Sequence, residues 1–250
     1  MNKHHHMLLA CACMSALAGL PQAARAWGTL ILIEAPPEHD TLAVGASYWA
    51  TPRSPDGRHQ TYALTPAIDY ERHDGWFAST ETGMGFNASH DASWQAGARL
   101  WPQLGRARQD QSASQTRLGP RLQKQLFANV MLGDVALAQS AVSDGSGRSQ
   151  NGVQTELGLT SGIPLSGGMV GIGVSATFGN RAYRRDYAGV DACGWSDWSW
   201  TVSFDHKINQ TWHADAQLQK ATLINSSAAD SPTPSSARPY ALLISLWRDL

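Results

Sequence analysis

Hydrophobic and polar residues alternate in twos along most of this chain, and the alternation is clearest on either side of one tight turn, between Gln60 and Asn87. In the first arm Tyr62, Leu64, Pro66, Ile68 and Tyr70 share one face, while Thr61, Ala63, Thr65, Ala67 and Asp69 share the other. One face is greasy and the other is small and polar. The two tyrosines are eight residues apart, about 20 Å after the usual strand tilt, which matches the apolar band of an outer-membrane barrel. Glu71 to Gly75 then turns the chain. A second arm carries Trp76 and Phe86 at its ends and Glu81 on the opposite face, so the stretch reads as a membrane hairpin with aromatic edges and a wet inner side.

The same period recurs to the end of the chain. Leu42, Val44, Ala46 and Tyr48 alternate with Ala43, Gly45 and Ser47, and Trp94 to Trp101 forms a short segment with aromatics near each end. Leu122 to Leu132 satisfies both helical and strand spacing, and its context favours a strand. Gly133-Asp134 turns into Val135 to Val142, an ordinary hairpin signal. Val153 to Leu159, Val170 to Phe178, Trp198 to Lys207, Trp212 to Ile224 and Tyr240 to Leu246 complete the set. Thr29 to Ile33 stays unassigned, with Pro36-Pro37 ending it.

Outer-membrane barrels alternate short periplasmic turns with longer outer loops and usually have even strand numbers. Eleven strands are countable here, and both termini should lie in the periplasm. One strand is therefore hidden, and Arg106 to Gly119 is its expected place. The predicted fold is an all-β transmembrane antiparallel barrel of about twelve strands, with ten as the alternative. A soluble lipocalin-like barrel is the structural rival, since its strands alternate too, but it would turn the greasy face inward.

Composition narrows the compartment. The chain opens with Lys3, a short histidine run, an apolar core from Met7 to Leu20, and Ala24-Arg25-Ala26 before Trp27. These are the parts of a secretory signal with cleavage expected after Ala26, leaving residues 27–250 as one barrel domain. Cys11 and Cys13 sit too early in the apolar core for a lipobox, and Cys193 is the one cysteine beyond it. No later stretch supplies the roughly 18 apolar residues of a transmembrane helix. A formal net charge of −1 and a charged fraction of 16% indicate no nucleic-acid partner. Ten tryptophans suit interfacial belts.

Thr65-Pro66-Ala67-Ile68-Asp69-Tyr70, Gly83-Met84-Gly85-Phe86-Asn87, Leu104-Gly105-Arg106 and Asp230-Ser231-Pro232, in that order, resemble the MipA/OmpV family across most of the expected mature chain. The resemblance implies an outer-membrane protein. It also implies a scaffold that joins a lytic murein transglycosylase to a murein-synthesising penicillin-binding protein. Two departures stand out: Tyr48-Trp49-Ala50-Thr51 where the family commonly carries Tyr-x-Gly-Ser, and a terminal Leu250 where such barrels usually end in an aromatic.

Candidate chemistry is sparse. His90, His206 and His213 have carboxylates nearby at Asp91, Asp205 and Asp215, but Asp205 and His206 point to opposite faces, and no Gly-x-Ser-x-Gly elbow is present. No cluster has structural metal-site spacing, and no cofactor is expected. The reading is a non-enzymatic scaffold, with a small pore as the alternative and a barrel lipase as the distant one. Glu71, Arg72, His73 and Asp74 are the candidate contact for a periplasmic partner. Tyr62, Tyr70, Trp76, Phe86, Trp198, Trp200, Trp212 and Tyr240 are the candidate membrane-interface aromatics, set against outer-membrane lipid. Arg181, Arg184 and Arg185 are candidates for lipopolysaccharide phosphates, because guanidinium matches phosphate geometry.

Overall fold

The structure is a computed structural model, and it describes residues 35–52, 60–103, 121–133, 136–144, 152–188, 190–224 and 240–250. Twelve strands form one closed antiparallel barrel in which sequence neighbours are sheet neighbours and the last strand pairs with the first. They are β1 (Thr41–Pro52), β2 (Gln60–Glu71), β3 (Trp76–Ser79), β4 (Gly83–Asn87), β5 (Trp94–Gln103), β6 (Arg121–Leu132), β7 (Ala136–Asp144), β8 (Val153–Leu165), β9 (Gly168–Gly179), β10 (Gly194–Lys207), β11 (Trp212–Leu223) and β12 (Tyr240–Asp249). The seam runs from Ala43 opposite Asp249 to Ala50 opposite Leu242. Among the described residues one helix, α1 (Arg181–Ala188), lies in the connection between β9 and β10.

Alternation has the sense that hydrocarbon demands. Leu64, Leu126, Ile172, Val174, Phe204 and Ile244 are exposed on the outside, whereas Ser47, Thr65, Asn87, Asn129, Glu156, Thr177 and Ser245 are buried inside. A soluble barrel would invert this, so the arrangement is that of an outer-membrane barrel. Leu122 to Leu132 is a strand: it pairs with β5 on one side and β7 on the other. Its apolar residues at the even positions face out and Gln123, Gln125 and Asn129 face in.

In β10 an irregularity between Trp195 and Asp197 adds one residue to the ladder. That extra residue lets Trp195 and Trp198, three positions apart, both face outward while Ser196 and Asp197 are both buried.

The segment 76–87 differs from its expected form. Instead of one long arm it is two short strands, β3 and β4, joined by a turn at Thr80, Glu81 and Thr82. Gly83, with φ 85°, lets the chain reverse there, and a Cβ at this position would lie 2.4 Å from the Leu100 carbonyl oxygen. This division supplies the twelfth strand. Arg106 to Gly119, its expected place, lies outside the described residues, as do Thr29 to Ile33 and the signal segment.

Connections separate the two rims. One rim carries Arg72 to Gly75, residues 88–93, residues 133–135, Ser166-Gly167 and Ile208 to Thr211; the other carries the longer connections 53–59, 104–120, 145–152, 180–193 and 224–239. Short turns mark the periplasmic rim. The start of β1 and the end of β12 both lie there, with the Leu250 N–H donating to the Leu42 carbonyl at 3.0 Å.

Leu126 sits halfway along β6 on the lipid face and is 64% exposed. Leu126→Arg should therefore cost about 2–4 kcal/mol of folding free energy in vesicles, read from reversible denaturant unfolding. A loss near zero would place this face in water.

Candidate functional site

The periplasmic turn between β2 and β3 is built around a residue the sequence pattern had not singled out, Asp40, immediately before β1. Its carboxylate accepts from the His73 backbone N–H at 3.2 Å and the Tyr70 hydroxyl at 3.2 Å, and it meets His73 Nδ1 at 2.6 Å. Arg72 N–H donates to the Trp76 carbonyl at 2.8 Å, the Gly75 N–H donates to the Arg72 carbonyl at 3.0 Å, and Arg72 pairs with Asp74 at 2.7 Å. Gly75, with φ 96°, is required because a Cβ would lie 2.2 Å from the Asn87 carbonyl oxygen. Arg72, His73 and Asp74 thus share one braced turn. Glu71 ends β2 between Thr41 and Phe77 and faces the barrel's interior edge.

Inside the barrel, the β3–β4 turn bends off the wall. Glu81 accepts from Ser47 Oγ at 2.7 Å and from Ser245 Oγ, although these serines belong to β1 and β12, on the far side of β2. On the other flank Arg99 Nη1 donates to the Thr82 carbonyl at 3.2 Å. Arg99 Nε also donates to Gln125, whose amide donates to Ser143 Oγ at 2.9 Å. Ser175, Ser199 and Gln219 form another run, at 2.8 and 3.1 Å, and Thr177 donates to Asp197 at 3.0 Å. Many of these lumen side chains bond to wall neighbours, and the Glu81 turn reaches across several strands.

Six of the eight predicted interface aromatics lie clearly near a rim. Tyr70, Trp76, Phe86 and Trp212 lie towards the periplasmic one, with Trp76 tilted against Phe86 at 5.3 Å between ring centroids. Tyr62 and Tyr240 lie towards the outer one, where Tyr62 stacks on Tyr48 at 6.5 Å and the Lys220 ammonium sits 5.6 Å from the Tyr240 ring. Trp198 is exposed and Trp200 half-buried, two and one steps nearer that rim than Val202 on the outward face of β10.

The three arginines do not converge. Arg181 is paired with Asp191, including Nε to Oδ1 at 2.8 Å; Arg184 is buried and donates to the Ala192 carbonyl at 3.4 Å; Arg185 is exposed. Helical spacing in α1 divides them, which strand parity could not have foretold.

The His73 side chain holds the Asp40 carboxyl below its ordinary 3.8, helped by the His73 backbone N–H and, to a smaller degree, Tyr70. A depressed folded-state value means this support of the turn is fully present above about 3.8 and is lost as pH falls through the lower, folded value. The carboxyl carbon resonance of Asp40 should therefore titrate with a midpoint below 3.8, and His73→Ala should raise that midpoint. An unchanged midpoint in the variant would contradict the contact.

Comparison with solved structures returns other outer-membrane barrels. An outer-membrane channel from Pseudomonas putida F1 is 13% identical with a TM-score of 0.48, covering 87% of this chain and 97% of that one. The NanC porin is 10% identical with a TM-score of 0.49, covering 84% and 100%. OprD from Pseudomonas aeruginosa is 11% identical with a TM-score of 0.30, covering 73% and 57%. No curated protein matches the chain. Residues 44–246, from the first strand to the last, match the family described as MltA-interacting protein MipA, and this outer-membrane chain belongs to that family.

Proposed function

We propose that the protein is a non-enzymatic scaffold whose periplasmic rim engages murein-processing enzymes. The observation that carries the reading is the braced turn of Arg72, His73 and Asp74. It presents both charge signs on a backbone fixed by Asp40, so little ordering entropy is lost when a partner docks. The family description, which names an interaction with MltA, supports the same direction. A lytic murein transglycosylase is the first partner to seek and a penicillin-binding protein the second, and Glu71 completes the proposed contact.

A second reading, a small solute channel, draws on the polar lining formed by Gln125, Asn129, Ser143, Thr177, Ser199 and Ser245. On that reading the Glu81 turn would narrow the passage. The two readings share one barrel and separate in different assays.

Envelopes solubilised in mild detergent should yield a lytic transglycosylase of the MltA type when the native protein is pulled down. Replacing Glu71, Arg72, His73 and Asp74 together should abolish that recovery while heat-modifiable gel migration stays native. Full recovery with the fourfold variant would remove this turn from the contact. No recovery with folded native protein, joined to steady single-channel conductance in planar bilayers, would replace the scaffold by the channel.

A further inference from the structure

A cation on the lipid-facing side of a barrel has to find its counter-charge outside the interior. In β12 the outward row runs through Ile244 and Leu246, 46% and 44% exposed, and the next residue of that parity is Arg248, also exposed, while Ser245 and Trp247 between them are buried inside. Arg248 stands opposite Val44 of β1 and Trp212 of β11. Neither neighbour can neutralise it.

The carboxylates at this end of β10, β11 and β12 lie on the other parity. Asp215 accepts from Trp247 Nε1 at 2.7 Å, Asp249 meets His213 Nδ1 at 3.5 Å, and Asp205 stands opposite Asp215 in the ladder and shares its inner face. Among the described residues no carboxylate pairs with Arg248. A guanidinium at the edge of hydrocarbon with no protein counter-ion draws on the phosphate of a lipid headgroup, whose oxygens match its fork of donors.

Beside Arg248 the lipid face is hollowed. Above Trp212 the outward parity of β11 carries only Ala214 and Ala216 before Leu218. The strands on either side carry larger groups: His206 opposite Ala214 and Phe204 opposite Ala216 on β10, with Leu246 and Ile244 at the same levels on β12. Phe204 and His206 stack at 5.9 Å between ring centroids, which makes that wall continuous. The flanking backbones stand about 10 Å apart, and their side chains narrow the space further. One hydrocarbon chain fits there, whereas a helix with its side chains is about 10–12 Å across. Ala98 of β5, opposite Phe86 and Leu126, makes a comparable shallow place without a cation at its foot.

We propose that Arg248 and the hollow over Ala214 and Ala216 hold one anionic glycerophospholipid of the periplasmic leaflet. The guanidinium takes the phosphate, and an acyl chain lies along β11 between Phe204 and Ile244. A ring N–H of His206 completes the phosphate site from the other side. Strand spacing sets the Cα atoms of His206 and Arg248 about 12 Å apart, a span the two side chains close around one phosphate. Trp212 sits at headgroup level, where an indole keeps its ring in apolar surroundings and its N–H wet. The site shares no residue with the Arg72 turn and does not depend on the scaffold reading.

The test is native mass spectrometry of the full-length protein in detergent, titrated with dioleoyl phosphatidylglycerol or with dioleoylglycerol, which has the same chains and no phosphate. The protein should retain one phosphatidylglycerol in preference to dioleoylglycerol. Arg248→Gln should weaken that retention about tenfold, through loss of a charge-assisted hydrogen bond. Ala216→Phe, which fills the hollow and leaves the cation, should weaken it severalfold, and Ala98→Phe should leave it unchanged. Heat-modifiable migration verifies that each variant is a folded barrel. Equal retention by Arg248→Gln and native protein would overturn the proposal, as would equal retention of the two lipids. A dimer that Ala216→Phe dissociates would overturn it too, because the hollow would then seat a second copy of the chain.

Discussion

Hydrocarbon offers nothing to a backbone N–H or C=O, so a chain that crosses it in strands must pair each strand on both edges. Everything else in this protein follows from that requirement. It closes β12 onto β1 across eight register positions, and it forces one face of every strand outward into lipid and the other into a narrow interior. The interior is polar because the exterior took the apolar residues. Its hydroxyls, amides and charges then bond to one another along the wall, as in the run from Arg99 through Gln125 to Ser143.

The half-height hairpin is a described place where the rule is relaxed. A strand edge left open in a membrane is costly unless its donors are removed or wetted, and β2 removes one through Pro66. Among the described residues no strand stands above the turn that ends the hairpin, and the turn folds inward. Glu81 and Arg99 hold it from two sides, through Ser47 and Ser245 on one flank and the Thr82 carbonyl on the other. A residue that weakens a central strand and a carboxylate that needs a partner thus belong to the same local solution.

Much of this was legible beforehand because membrane strands obey a period of two. Tyr62 through Tyr70 declared an outward face, and the even positions of Leu122 to Leu132 did so despite also fitting a helix. The interior polarity followed from Thr61, Thr65 and Asp69 on the opposite parity. Segment 76–87 was misread as one arm because Trp76 and Phe86 are both outward and stand at suitable ends. Parity survives a hairpin of this size, so the pattern alone could not reveal the reversal; Gly83 after Thr80-Glu81-Thr82 was the available signal.

The periplasmic contact was legible only in part. Arg72, His73 and Asp74 were visible as turn residues, but Asp40 is more than thirty positions away along the chain and meets them only when β1 lies beside β2. The arginines of α1 were grouped by sequence proximity, and the helix then sends Arg184 inward while Arg181 and Arg185 stay out.

The central claim is that β2 is paired to β1 along its whole length but meets β3 only from Asp69 to Glu71, with no other described strand on that side. Backbone amide exchange measured by NMR in lipid nanodiscs addresses it residue by residue. The structure predicts fast exchange at Tyr62 and Leu64, whose N–H groups point to the open side, beside protected amides at Ala63, Thr65 and Ala67, which point to β1. Uniform protection along all of β2 would contradict it.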